Sequence, residues 1–335
     1  MAVSNITAAV DITVGHQYQG INMTVLSIIQ AALLGVCLVM ILISNTITIV
    51  ILTKVKNCFE DMQQLVFKAL AITDVFTGVF CCGMSIMTIV IGDGQWFSSA
   101  LCALRGVACT GLVNLSALLI AFACIDRFVA VVYPLHYFSL VSIERARITI
   151  VILIGIAISN GGLSLLRGRT VARENLCLSD FSSERLAFRP SLVTSLLLSG
   201  LSLTIATVTN IKVMMIASGQ SKRSAKVIPS EGIACNEAII KTPRGSLKGL
   251  CVLVVTTIAF FMAIFPWSIV SASQFSKKST IATPMARYVT SLFVISKGWM
   301  NALIFVTLNK RFRRETKAVV FGSHRDDQGN STTQP

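Results

Sequence analysis

Two pairs of charged residues stand where an apolar chain has least use for them. Asp74 and Lys297 lie inside long apolar runs, Asp74 13 residues after Asp61 and Lys297 13 residues before Lys310. At 1.5 Å per helical residue, both sit about 20 Å along their helices from a charged boundary. An isolated charge at that depth costs about 3 kcal/mol or more, and an opposite partner at the same depth is the usual remedy. The second pair is Asp126-Arg127, followed by Phe128, where another apolar run gives way to Tyr133-Pro134-Leu135-His136. A carboxylate beside a guanidinium at a water boundary suits an ion pair that can close and open. Neither pair belongs to a catalytic set. No nucleophile stands with a base, and the ten cysteines include no CxxC and no Cys/His grouping at metal-site spacing. The chemistry is charge pairing rather than bond making, so the chain reads as no enzyme, with no metal and no cofactor implied.

Composition says what must hold these charges at depth. Hydrophobic residues make up 54% of the chain and charged ones 13%, with a mean hydropathy of +0.75, which places it among membrane proteins. The net charge of +14 raises nucleic acid as a partner, but the cations punctuate apolar runs without interleaved aromatics, which excludes it. Runs at 25–53, 69–92, 103–133, 148–166, 190–217, 247–276 and 285–309 meet the roughly 20 residues a spanning helix needs. They are too long and continuous for barrel strands. No internal repeat of the kind found in many transporters is present. The fold expected is an all-α membrane protein, a seven-transmembrane helix bundle. With 1–24 outside, the first run serves as signal anchor. The cationic connections at Lys54, Lys56, Arg127 to Arg147, Lys212 to Lys248 and Lys310 to Lys317 then fall inside, as the positive-inside tendency asks. Asn5 and Asn22 open glycosylation triplets in the outer segment. Residues 310–335 begin with a basic and apolar alternation around Phe312, Val320 and Phe321, which suits a short amphipathic helix on the inner leaflet followed by a tail.

Position by position, the chain resembles the rhodopsin-like class of G-protein-coupled receptors. Ser44-Asn45 is similar to that family's Gly-Asn step, Leu70-Ala71-Ile72-Thr73-Asp74 to its Leu-Ala-x-x-Asp motif, and Asp126-Arg127-Phe128 to its Asp-Arg-Tyr. Cys102 and Ser116 fall at the family's spacing, Phe260 and Pro266 match in the sixth run, and Asn301-Ala302-Leu303-Ile304-Phe305 resembles Asn-Pro-x-x-Tyr. The resemblance implies a plasma-membrane receptor that binds an extracellular ligand and activates a heterotrimeric G protein. It implies a Cys102–Cys177 disulfide over the outer end. It also implies a switch built from Asp126, Arg127, Phe128, Phe260, Pro266, Asn301 and Phe305. Asn45, Asp74, Ser116, Lys297 and Asn301 form the intramembrane polar core, where the family cradles a sodium ion. Lys297 stands beside that ion's position, and its ammonium is expected to replace it.

The departures narrow the reading. Ser246 and Lys248 open the sixth helix where the family has an acid, so Arg127 is expected to lack a second lock and basal signalling to be high. Ile264, Ala302 and Phe305 replace a Trp, a Pro and a Tyr. The fourth run has no Trp, and the fifth lacks a mid-helix Pro and an inner Tyr. Opsins carry their retinal lysine where this chain has Ile295, so no retinal is expected. Amine receptors carry an aspartate where this chain has Cys109, so a ligand amine has no such partner. Cys109, Leu112, Val113, Trp267, Val270, Gln274 and Tyr288 are the candidate ligand pocket. Arginines in the 167–189 loop, with Lys277, Lys278 and Arg287, favour an acidic small molecule or peptide as ligand. Two other readings remain open at this stage. Asp74 and Lys297 could relay ions or protons in a transporter or channel, or the chain could be a receptor-like scaffold that no longer signals.

Overall fold

The computed structural model describes the backbone of residues 2–55, 59–91, 96–163, 170–173, 176–179, 190–227, 243–273, 281 and 283–321. Side chains are described from Val25 onward within these ranges, apart from 91, 96–102, 138, 170–179, 220–227, 243–250, 284 and 321. In chain order the elements are α1 (Ala2–Lys54), α2 (Asp61–Thr77), a π-helical turn (Gly78–Gly83) leading into α3 (Met84–Ile91), α4 (Trp96–Val132) and the short α5 (Tyr137–Leu140). Then follow α6 (Ile143–Gly162), β1 (Thr170–Arg173), β2 (Leu176–Ser179), α7 (Pro190–Val227), α8 (Pro243–Ser273), α9 (Pro284–Leu308) and α10 (Lys310–Phe321). Strands β1 and β2 form an antiparallel hairpin pairing Thr170 with Ser179 and Arg173 with Leu176, the one departure from helix among the described elements. Six helical stretches are long and apolar enough to cross a membrane by length and composition. The 20 residues of α6 add the seventh helix of the bundle, at about 30 Å long a match for the hydrocarbon thickness.

Helix ends fall where local chemistry sets them. Ser142 accepts from the Arg145 amide and starts α6 at Ile143, five residues before the expected 148, because a good cap outweighs the charges of the first turn. Thr283 does the same for α9 by accepting from Ala286, with Pro284 at the first turn. Asn309 ends α9, and its side-chain oxygen accepts from the amides of Arg311 and Phe312 at 3.0 and 3.1 Å, so one residue closes one helix and opens the next at an angle. The second run begins at Asp61 rather than 69, and its π-helical turn adds a residue to the winding before α3.

Packing places large aliphatics such as Val36, Val39, Val151 and Ile158 on the outer surface, as lipid requires, and concentrates small and polar residues within. Helices α4 and α6 approach through glycine. A Cβ on Gly161 would stand 2.5 Å from the Val107 carbonyl oxygen, and one on Gly111 would stand 3.0 Å from that of Ala157. At the inner end Phe59, Phe67, Phe305 and Phe312 cluster in edge-to-face and tilted pairs with centroids 4.8–6.4 Å apart. Phe312 is fully buried here, which anchors α10 to the bundle through the apolar side of its alternation.

Candidate functional site

Three stations lie along the bundle, one at each end and one between. At the inner end of α4, Arg127 folds back along its helix. Its Nε and Nη2 donate to Asp126 Oδ2 at 2.9 and 2.7 Å, and the pair is buried. Tyr137 of α5 donates its hydroxyl to Asp126 Oδ1 at 2.8 Å. Burial raises the pKa of that hydroxyl above its usual value and the neighbouring Asp126 carboxylate raises it further, so it remains a donor. The third partner comes from another element. Glu60, the residue before α2, places Oε2 2.6 Å from Arg127 Nη1. This overturns the expectation that Arg127 lacks a second acid: the lock is made to the start of α2 instead of to the sixth helix. Glu60 also sits at a helix N-terminus, where the backbone dipole favours an anion. Phe128 turns the other way and receives Lys212 of α7 over its ring, 5.8 Å from the centroid.

At mid-bundle Lys297 Nζ stands 3.1 Å from Asp74 Oδ1, and Asn301 donates to Asp74 Oδ2 at 2.7 Å. Asp74 is fully buried and Lys297 is 3% exposed. Two carboxylate oxygens thus meet two donors on successive turns of α9, which is how a charge at this depth keeps its partners. The ammonium also lies 5.5 Å from the centroid of the Phe260 ring, a cation–π contact linking the pair to α8. Asn45 donates to the carbonyls of Ile41 and Gly298 at 2.9 and 3.1 Å and ties α1 to α9 beside the pair. Ser116 is fully buried and donates back to the Leu112 carbonyl. Pro266 lies inside α8, about 1.7 turns beyond Phe260, where its missing amide weakens the helix.

Toward the outer end a cavity of about 140 Å³ opens among α4, α7, α8 and α9. Of the pocket residues read from sequence, Cys109, Val113, Trp267 and Val270 line it. Tyr288 does not: its hydroxyl donates to the Gln30 carbonyl at 3.0 Å and its ring packs with Leu34 and Ile41 against α1. Leu112 is also absent from the wall, since one residue along a helix is a rotation of about 100° and Val113 takes the inward direction. Gln274 lies outside the described residues, as do the side chains of Cys102, Cys177, Asn5 and Asn22. Ile295, at the opsin lysine's position, faces the cavity, while Lys297 points to Asp74.

Several site residues have no clear mark in the sequence. Cys81 and Cys109 are disulfide-bonded, joining the π-helical turn to α4 beside the cavity, a pairing that no spacing in the sequence marks. Arg105 lines the same wall, its Nε donating to Ser85 Oγ and to the Cys81 carbonyl. Asn114 is satisfied on both sides, donating to Ser195 at 3.0 Å and accepting from Ser199 at 3.1 Å. No group of three or more metal-ligating side chains occurs among the described residues.

Comparison with known proteins follows the same lines. Residues 44–305 match the family model described as 7 transmembrane receptor (rhodopsin family). Over 121 residues the chain is 28% identical to neuropeptide FF receptor 2 of Mus musculus, covering 36% of this chain and 28% of that one. Over 118 residues it is 27% identical to the Rattus norvegicus receptor of the same name, covering 35% and 27%. The matched stretch thus spans less than a third of either curated relative. Squid rhodopsin superposes with a TM-score of 0.75 at 16% identity, over 89% of this chain and 86% of that one, a likeness of fold.

Proposed function

Because the chain belongs to the rhodopsin family of seven-transmembrane receptors, we propose that it is a plasma-membrane receptor that binds an extracellular ligand and activates a heterotrimeric G protein through the inner face around Arg127. The observation that carries this reading is the clamp on Arg127. A guanidinium held by Asp126 of its own helix also reaches Glu60 at the start of α2, and parting α4 from α2 breaks that second contact. Such a two-position contact is what a ligand at the far end can bias. Phe260 on Lys297 offers the connection, since movement of α8 about Pro266 draws the ring off the ammonium. The ligand is a small molecule or peptide of acidic character. Second-messenger output against a ligand library, with Arg127→Ala as control, tests the reading; responses that Arg127→Ala leaves intact would remove Arg127 from it.

The polar core has its own role in this scheme. Lys297 takes the position that a sodium ion holds in relatives, so agonist binding to this receptor is insensitive to sodium. Lys297→Asn opens that position while leaving Asp74 and Asn301 in place. Sodium sensitivity of binding should then appear, and its absence in the variant sinks the substitution. A second reading, ion or proton transport, draws on the same buried pair, and charge movement driven by an ion gradient without G-protein turnover would favour it.

A further inference from the structure

The cavity at the outer end differs between its floor and its rim. At the floor the polar groups are already spoken for. Asn114 donates to Ser195 and accepts from Ser199, and Ser195 also accepts from Asn160 at 2.9 Å. A ligand gains little by offering hydrogen bonds there, because it would have to displace satisfied partners. The rim is different. Arg287 of α9 lines the cavity, and its Nε is buried without a hydrogen-bond partner. No carboxylate among the described residues lies within ion-pair distance of it, and none of the residues lining the cavity is Asp or Glu. A guanidinium that lines a cavity with one donor unpaired and no carboxylate beside it leaves a place for an acceptor, and the acceptor that fits its planar fork is a carboxylate. Arg105 stands on the same wall and adds positive potential. Between rim and floor Val113, Trp267, Val270, Val294 and Ile295 give the wall an apolar stretch, with hydroxyls of Thr110, Ser271, Thr290 and Ser291 beside it.

Resting on the receptor reading above, we infer that this cavity binds its ligand by a carboxylate held at Arg287, with an apolar body lying against Trp267 and Val294. Charge at the rim selects the ligand and the apolar wall measures it. The carboxylate can belong to a small amphiphilic acid or to the free C-terminus of a peptide, and the same anchor serves both. Amides and esters of the same skeleton lose the paired acceptor and bind poorly. Cationic ligands meet two guanidiniums and no acid among the described lining residues, and are rejected.

The test uses the full chain purified in detergent, with thermal stabilisation as the readout. Binding is thereby separated from coupling. Two matched pairs serve as probes: 3-phenylpropanoate against 3-phenylpropanamide, and a tripeptide Gly-Leu-Phe with a free against an amidated C-terminus. In at least one pair the acid should stabilise the receptor at concentrations on the order of 10- to 100-fold lower than the amide, the range expected of a charge-assisted contact. The pair that responds identifies the source of the carboxylate. Arg287→Gln should abolish the preference, and Arg287→Lys should retain part of it, since charge remains while the fork is lost. Equal stabilisation by acid and amide in both pairs, or no stabilisation by either acid, overturns the inference without the variants being needed. A preference that survives Arg287→Gln overturns it as well. Acid-selective stabilisation without G-protein turnover upholds the site and counts against the coupling reading instead.

Discussion

Replacing Glu60 by Gln removes one charge from the Arg127 clamp and little else. Glu60 Oε2 is 2.6 Å from Arg127 Nη1, but the glutamate side chain is 53% exposed while the arginine is 3% exposed. An exposed ion pair is worth about 0.2–1 kcal/mol, and a hydrogen bond to a charged group in a buried setting about 1.5–3 kcal/mol. With one partner in each environment and solvent screening at the glutamate, a contribution of about 1 kcal/mol follows, because Asp126 still holds Nε and Nη2. That shifts the balance between closed and open clamp about fivefold. If the open form is on the order of 1% of resting receptors, it rises to about 5%. Basal nucleotide exchange on a G protein, measured in membranes and normalised to surface receptor, should therefore rise severalfold in Glu60→Gln and stay low in the parent. Glu60→Asp, with a shorter reach, should fall between them. Raised ionic strength should narrow the gap between parent and variant, since the exposed carboxylate is screened. A Glu60→Gln receptor with unchanged basal exchange, in the same assay where Asp126→Asn raises it, would refute the assignment of the lock to α2.

Other outcomes follow from the same geometry. Lys297→Met leaves the Asp74 carboxylate buried without its ammonium and should cost about 3–5 kcal/mol of stability, whereas Lys297→Met combined with Asp74→Asn should recover most of it; equal losses in single and double variants would mean the two side chains are not coupled. Gly161→Ala drives a Cβ against the Val107 carbonyl and should lower the Tm of the solubilised receptor by an amount corresponding to about 1–3 kcal/mol. Gly155→Ala on the same helix meets nothing within 4 Å and serves as control, so a matching loss there would show that helix α6 responds to any substitution.

How much of this could be read from the chain depended on whether one helix was enough. Depth along a helix is a count of residues, so Asp74 and Lys297 could be set at one level from Asp61 and Lys310, and in the structure their charged atoms are 3.1 Å apart. The direction of a side chain in a membrane helix is harder, because lipid and protein neighbours are both apolar and no polar face marks the inside. Leu112 and Tyr288 share the apolar pattern of the cavity residues for that reason, yet neither lines the cavity. Glu60 was missed because its contact depends on how a short connection carries the chain from α1 into α2, which no periodicity encodes. The bond between Cys81 and Cys109 has no mark in the sequence, because free and bonded sulfurs inside apolar runs follow the same pattern. Ser142, Thr283 and Asn309 set helix ends through bonds within three residues of themselves, and a reading of apolar runs alone passes over such caps, as the expected start at 148 against Ile143 shows.

The cluster of Phe59, Phe67, Phe305 and Phe312 has an electrical meaning as well as a packing one. It fills the end of the bundle that α10 closes, and Phe305, at the position where the rhodopsin-like pattern has a tyrosine, is fully buried and without a hydroxyl. Four rings at van der Waals contact offer a proton no group to hop to and an ion no oxygen to lean on. The rings set an apolar layer in series with the central charges, between Asp74 and that end of the bundle.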